Sequence, residues 1–339
     1  MTNDVFFKDK KILIIGGTGT IGQSLLNHIL EGNPEVVRVF SRDEHKQFEL
    51  RENLSEYQNI RYLIGDVRDG ERVLRAMQDI DYVFHVAAMK HVPACEYNPY
   101  EAVQTNIIGT QNVITAALNT GVKRVVFTST DKAIAPTNTY GASKLMAERL
   151  IASAQYNSGG SGVIFAAVRF GNVMGSRGSV IPLFKSQILQ KRKVTVTDAT
   201  MSRFMMTLRQ ATDLTIKAMK TAQGGEVFVL KMPVVRLQDL VNVVVAEMAN
   251  KLDLKMDEIT VEEIGLRPGE KMYEELMTLD EAKEALELPD MFIIPNKYLN
   301  RNPSYPLARK AEIRPYSSND VVPVSQSVFR SMLKESKLI

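Results

Sequence analysis

Short apolar runs alternate with amphipathic stretches through the first half of the chain. Lys11–Ile15 has the composition of a buried strand, and Ile21–Leu30 that of a helix. Val36–Phe40, Ile60–Ile64, Tyr82–Phe84 and Val125–Thr128 are further β-branched or aromatic strands. Helical patterns over 43–55, 70–78, 99–119 and 139–156 separate them, and Val163–Arg169 reads as one more strand. Strand-helix alternation of this kind predicts an α/β fold with a doubly wound parallel sheet.

Beyond Gly171 the regularity breaks. The spacing predicts helices over Ile181–Gln190, Arg209–Lys220 and Leu237–Asn250, with short strands at Val194–Thr197 and Glu226–Val229. Leu266–Lys271 contains a Pro-Gly turn. This mixture suits a smaller α/β lobe closing over a substrate. The expected division gives residues 1–172 and about 205–235 to the nucleotide-binding domain. Residues 173–204 and 236–296 go to the substrate lobe, and 297–339 to a tail. The tail ends in a short amphipathic helix with Val328, Phe329, Met332 and Leu333 on one side, expected to pack on its own chain.

Composition narrows the classes. At 339 residues the chain can bury a substantial core. A net charge of +3 gives no reason to expect a nucleic-acid partner, and Lys191-Arg192-Lys193 reads as a solvated helix end. One cysteine, Cys95, excludes an intrachain disulfide and fits a reducing compartment. The four histidines lack metal-ligand spacing, so no metal is expected. No apolar run reaches the ~18 residues of a membrane span, and the N-terminal charges do not suit a secretory leader. A cytoplasmic protein is expected, and a homo-oligomer.

Gly16-Gly17-Thr18-Gly19-Thr20-Ile21-Gly22 follows the first strand and opens the first helix. Glycines here permit a tight turn and close approach to a pyrophosphate, which the helix N-terminus then holds. That placement predicts a Rossmann-type dinucleotide site. The second strand ends Phe40-Ser41-Arg42, where an NAD site would carry a carboxylate. Ser41, Arg42 and Lys46 instead suit a 2′-phosphate, so NADP is the expected cofactor; Asp43 is the dissenting residue. Asp66, followed by Val67, fits an adenine contact or a helix cap equally well. Ala87 and Ala88 end the fourth strand, where small side chains admit the nicotinamide ribose.

The chemistry concentrates at 129–144. Tyr140 and Lys144 form a Tyr-x-x-x-Lys pair, one helical turn apart on one face. Lys144 can bind a ribose while Tyr140 takes a proton as hydride leaves a sugar carbon. Thr130-Asp131-Lys132 follows the strand ending at Thr128, at the sheet edge where ligands bind. As an acid Asp131 must hold a proton, and as a base Lys132 must lack one. Free side chains stand the other way at neutral pH. A structural ion pair fits Asp131 and Lys132 as well as an acid and a base.

These motifs together resemble the inverting UDP-N-acetylglucosamine 4,6-dehydratases, within the extended short-chain dehydrogenase/reductases. The resemblance runs from about Asp9 to Pro295. It rests on Gly-Gly-Thr-Gly at 16–19, Phe-Ser-Arg-Asp-Glu at 40–44, His-Val-Pro at 91–93, Ser-Thr-Asp-Lys-Ala at 129–133 and Tyr-Gly-Ala-Ser-Lys at 140–144. Arg-Phe-Gly-Asn-Val at 169–173, Gly-Ser-Arg-Gly-Ser-Val at 175–180 and Arg-Pro-Gly-Glu-Lys at 267–271 complete it. It implies that Tyr140, held by Lys144, oxidises carbon 4 of a UDP-sugar with NADP. Lys132 then takes the carbon-5 proton, and Asp131 protonates the departing carbon-6 hydroxyl. Thr130 would bond near the transferred hydroxyl.

Retaining relatives carry Asp-Glu where this chain has Asp131-Lys132, so Lys132 marks inversion. Asn172 and Arg267 match diphosphate contacts and Glu270 a ribose contact. Arg177 and Arg203 are further substrate candidates, each equally a surface residue or an internal ion pair. Lys90 and His91 read as loop architecture. Two departures stand out. Met201 to Thr207 carries methionine where relatives often have an aromatic, and the tail after Pro295 is poorly matched. A 4-epimerase or reductase on this scaffold would make Lys132 dispensable. A dehydratase stopping at a 5,6-unsaturated product and a non-catalytic NADP-binding sensor are the other readings.

Overall fold

The computed structural model describes residues 5–176, 178–299 and 304–339. Six parallel strands form the core of a ten-stranded sheet: β1 (Lys11–Ile15), β2 (Val36–Ser41), β3 (Ile60–Ile64), β4 (Tyr82–His85), β5 (Arg124–Thr128) and β6 (Ile164–Arg169). Their spatial order is β3-β2-β1-β4-β5-β6, so the order reverses between β1 and β4. Ligands bind at such a switch point, outside the carboxyl ends of the strands. Ile12, Leu13, Ile14, Val83, Phe84, Val125 and Val126 are fully buried, as expected of parallel strands covered on both faces.

Beyond β6 the sheet continues with Val227–Leu230, parallel to β6. Met291–Ile294, Leu286–Glu287 and Arg309–Lys310 then add antiparallel edge strands. Residues 286–294 were expected in the substrate lobe, and 297–339 in a separate tail. Their pairing places both segments partly in the large sheet. The reason is geometric: each of these strands is two to four residues long, too short to show alternation along the chain.

The second lobe has its own smaller core, with Ile181, Phe184 and Ile188 of helix Val180–Lys191 against Leu240, Val244 and Met248 of helix Leu237–Leu252. The terminal helix Gln326–Glu335 closes this core with Phe329 and Leu333, both fully buried. It packs on its own chain, as expected. Val328, placed on the same face by the sequence, is instead half-exposed. The helical stretch from 99 to 120 opens into a π-helical turn over Val103–Ile108.

A buried cation anchors the end of β6. Arg169 at the end of β6 is fully buried. It donates to Glu148 on helix Thr139–Tyr156, to both oxygens of Glu281 at 3.0 Å, and to the carbonyl of Leu276 at 2.8 Å. The paired carboxylates raise the guanidinium's proton affinity and override the opposing effect of burial. Removing one member of such a cluster leaves buried charge uncompensated. Arg169→Met is therefore expected to cost about 3–5 kcal/mol, read as a lower urea midpoint. An unchanged midpoint would contradict the role given to this cluster.

Candidate active site

The glycine-rich turn is shaped by backbone proximity. Gly16 has φ +91°, and a Cβ there would lie 2.7 Å from the Ala87 nitrogen. A Cβ on Gly22 would meet the Gly16 carbonyl at 2.5 Å. So β1, the end of β4 and helix Thr20–Glu31 approach one another only because these side chains are absent. Gly19 caps that helix with no side chain of its own, leaving the first-turn N–H groups of Thr20, Ile21 and Gly22 for an anion. The adjoining cavity, about 300 Å³, is lined by Gly16, Thr18, Gly19, Ser41, Arg42, Lys46, Asp66, Val67, Ala87 and Ala88.

The carboxylate that argued for NAD is engaged elsewhere. Asp43 caps helix Glu44–Asn53, accepting from the Lys46 N–H at 3.0 Å, and pairs with the Lys46 ammonium. Those two contacts hold its carboxyl below the usual range. Ser41 hydrogen-bonds Thr18 at 2.8 Å. Arg42 is largely exposed, with Asp66 3.6 Å away. Asp66 also pairs with Arg68 at 2.9 Å. An ion pair was neither of its two expected roles, an adenine contact or a helix cap, though Asp66 does line the nucleotide cavity.

Asn138 caps the catalytic helix, its side chain accepting from the Gly141 N–H at 2.8 Å. A Cβ at Gly141 would stand 2.1 Å from the Lys132 carbonyl, so this glycine lets the Asp131–Ala133 turn press on the helix. Tyr140 and Lys144 lie one turn apart. Burial pushes the Tyr140 phenol up, and a hydrogen bond with Thr130 opposes it. Lys144 is buried, its ammonium 3.9 Å from the centre of the Phe127 ring. Burial pulls it down to about 7 against the pull of Glu148.

Two further residues, missed in the sequence, brace this helix. Asn106, in the π-helical turn, accepts from the Met89 N–H at 2.8 Å and donates to its carbonyl at 3.0 Å. It also donates to Ser143 at 2.8 Å, and Ser143 bonds the Tyr140 carbonyl. In the sequence Asn106 is one of three consecutive polar residues, Gln104 to Asn106, with nothing to single it out.

Asp131 and Lys132 form the ion pair that was one of their two readings, at 3.1 Å. Thr130 donates to the same Asp131 oxygen at 2.9 Å. A third residue, Glu274, accepts from Lys132 at 2.9 Å and lies 3.5 Å from Arg203. The group lines a cavity of about 660 Å³ with Asn172, Arg203, Arg267 and Glu270. A neighbouring cleft of about 750 Å³ runs from Gly16, Arg42 and Lys46 to Thr130 and Tyr140. Lys132 and Asn172 line both, so the nucleotide cleft and the 660 Å³ cavity meet at these two residues.

The substrate candidates divide. The Gly269 carbonyl accepts from Thr137 and Asn138, docking the Arg267–Lys271 loop onto the start of the catalytic helix. Glu270 folds back on the Arg267 N–H at 3.3 Å. Arg203 lines the cavity, but its guanidinium donates to the carbonyls of Lys271, Met272 and Ser202. It is an internal brace here. Arg177 lies outside the described residues. His91 packs on Gly178, where a Cβ would lie 2.3 Å from its ring, in keeping with loop architecture. Among the described residues no helix is long and apolar enough to cross a membrane.

Lys144 supplies a pH test. It binds its proton less tightly in the fold than its ordinary value of 10.5. Between pH 7 and 10 the unfolded chain therefore holds more protons, and stability rises with pH by at most about 1.4 kcal/mol per unit. Lys144→Met is expected to abolish that rise in urea titrations of the cofactor-free protein. Equal slopes for both proteins would contradict the burial of a destabilised ammonium.

Comparison with known proteins places this geometry. A family model described as polysaccharide biosynthesis protein matches residues 12–296. A Methanocaldococcus jannaschii protein named only as an uncharacterized membrane protein is 46% identical over 97% of both chains. The inverting UDP-N-acetylglucosamine 4,6-dehydratase of Campylobacter jejuni is 40% identical over 85% of this chain and 83% of its own. A UDP-glucose 4-epimerase of Rickettsia rickettsii is 41% identical over 85% and 84%. The crystal structure of Pen from Bacillus thuringiensis is 59% identical, with TM-score 0.94 over 98% of this chain and 99% of that one. A dTDP-glucose 4,6-dehydratase from Streptomyces venezuelae, solved with NAD, shares the fold at 20% identity and TM-score 0.69, covering 77% and 86%. With the order β3-β2-β1-β4-β5-β6 and the Tyr140–Lys144 pair in place, the chain belongs to the polysaccharide biosynthesis protein family, on the extended short-chain dehydrogenase/reductase fold, with relatives named as inverting UDP-N-acetylglucosamine 4,6-dehydratases and as UDP-glucose 4-epimerases.

Proposed function

We propose that the chain is an NADP-dependent dehydratase. It converts a UDP-N-acetylhexosamine, UDP-N-acetylglucosamine first among them, to a UDP-4-keto-6-deoxy sugar inverted at carbon 5. The product would serve surface glycan or glycoconjugate synthesis. The observation that carries this reading is the Lys132 amine, set beside Asp131 on a residue that lines both the nucleotide cleft and the adjoining 660 Å³ cavity. A dehydrogenase or simple epimerase needs neither group.

The residues present fit a dinucleotide. The Gly16–Gly22 turn would hold its pyrophosphate, and Lys144 its nicotinamide ribose. Ser41, Arg42 and Lys46 would hold a 2′-phosphate, since Asp43 is committed to its helix cap. When bound, the cofactor supplies reversible oxidation of the sugar.

The chain's own groups supply the proton chemistry. Tyr140 takes the proton of the carbon-4 hydroxyl, with Thr130 at its phenol. The resulting ketone acidifies the hydrogen on carbon 5, which Lys132 removes. Asp131 protonates the carbon-6 hydroxyl, and the C–O bond breaks to release water. A proton later returns to carbon 5 on the opposite face, giving inversion. Transfer of one proton from Lys132 to Asp131 across their 3.1 Å contact yields the neutral amine and the neutral acid together.

A second reading is 4-epimerisation, favoured by the Rickettsia relatives at equal identity. One experiment separates the two: incubation with UDP-N-acetylglucosamine in heavy water, followed by NMR. The dehydratase gives a new methyl group and deuterium at carbon 5. Inversion at carbon 4 without a methyl group would refute it. A 5,6-unsaturated product would show that the elimination stops short, and no turnover of any nucleotide sugar would favour a non-catalytic sensor. Lys132→Ala is expected to keep NADP binding and to lower methyl formation by about 10²–10⁴-fold, the usual loss of a general base.

A further inference from the structure

Glu274 lies outside every motif by which the site was read. It follows the Arg-Pro-Gly-Glu-Lys segment by three residues, as the first glutamate of Tyr273-Glu274-Glu275. In the fold its side chain is over nine-tenths buried and sits at the wall of the 660 Å³ cavity. One carboxylate oxygen accepts from Lys132 at 2.9 Å, closer than the 3.1 Å of the Asp131 contact. The same oxygen is 3.5 Å from the Arg203 Nε.

Adjacent residues on a turn do not naturally bring their side-chain tips together. Lys132 follows Asp131 directly, yet its ammonium returns to that carboxylate. Glu274 supplies the second anchor that holds the flexible four-carbon stem in this pose. Glu274 is itself fixed on both backbone sides. Its N–H donates to the Ser318 hydroxyl at 2.9 Å, and its carbonyl accepts from the Ser318 N–H at 2.8 Å. Ser318 is bonded in turn to Ser202 at 2.9 Å. Strand Glu275–Met277 then pairs with Tyr316–Ser317. The tail, beyond the 12–296 region common to the family, therefore sets where Glu274 stands.

Two oxygens in this group are buried without a hydrogen-bond partner: Oδ2 of Asp131 and Oε2 of Glu274. Buried unpartnered carboxylate oxygens are rare and need a reason. Both belong to the two residues that grip Lys132, in a cavity suited to a polyhydroxylated ligand.

We propose that Glu274 is the positioning residue of the elimination: it clamps the Lys132 amine against Asp131, at the face of the cavity where the sugar is held. This rests on the dehydratase reading for its catalytic consequence, but the clamp itself is a property of the resting protein.

Glu274→Gln keeps size and one acceptor oxygen and removes the charge. Two measurements test it. In the first, the resting protein is treated with formaldehyde and a borohydride, and methylation of Lys132 is followed by mass spectrometry. An ammonium gripped by two carboxylates reacts slowly, so faster labelling of Lys132 in the variant is expected, with other lysines unchanged. In the second, UDP-N-acetylglucosamine turnover is compared with KM and with NADP binding. kcat is expected to fall by about 100-fold, the scale for misplacing a reacting group by ~1 Å, while KM and NADP affinity hold. Ser318→Ala, which loosens Glu274 without touching the cluster, is expected to show smaller changes in the same directions. Unaltered labelling of Lys132, or an unaltered kcat in the variant, overturns the proposal. So does a parallel loss of KM and NADP binding, which is what a merely structural residue would give. A wild-type protein that converts no sugar overturns the dehydratase reading, and the labelling result then decides the clamp by itself.

Discussion

Everything at this site depends on the burial of opposite charges at the carboxyl end of β5. Asp131 and Glu274 are nearly inaccessible, and Lys132 bridges them at 3.1 and 2.9 Å with Arg203 nearby. Two anions and two cations taken from water together are tolerable only because each finds a partner at once. Such a cluster is poor evidence for stability, since hydrophobic residues of similar volume often do as well. Its value lies in what it can become. An amine and a carboxylic acid are one proton transfer away from the ion pair, and they are the two species that an elimination of water requires.

The scaffold accounts for that placement. The order reversal between β1 and β4 opens the nucleotide crevice. The helix Thr139–Tyr156, after β5, carries Tyr140 and Lys144 down its far side. Gly141 admits the Lys132 carbonyl, so the turn with Asp131 and the helix with Tyr140 are locked in register. The Arg267–Lys271 loop bonds to the cap of the same helix through Gly269, and Arg169 joins that helix to Glu281. Tyr140 and Lys144, Asp131 and Lys132, and the Arg267–Lys271 loop are thus all referred to one helix.

Much of this was legible along the chain. The strands β1 to β6 fall where the apolar runs put them, because parallel strands covered on both faces need continuous hydrophobicity. The helix at 139–156 was read with its observed bounds. Legibility failed where structure rests on distant partners. The strands at 286–287, 291–294 and 309–310 are made by pairing with a sheet edge, and carry no period of their own. Glu274 meets Lys132 across 142 positions, and nothing in Tyr-Glu-Glu distinguishes it from a surface acid. Arg203 was left open between substrate contact, surface residue and internal ion pair, and its donors go to backbone carbonyls that only the fold brings near. Asp43, weighed along the chain only as a ribose contact, also caps its helix.

The central claim is that one site both oxidises carbon 4 and eliminates water across carbons 5 and 6, with the hydrogen from carbon 4 conserved inside it. It is tested most directly with UDP-N-acetylglucosamine carrying deuterium at carbon 4 in ordinary water. The account predicts that the deuterium is recovered in the new methyl group of the same sugar molecule. Deuterium still at carbon 4, or lost to solvent, would contradict it.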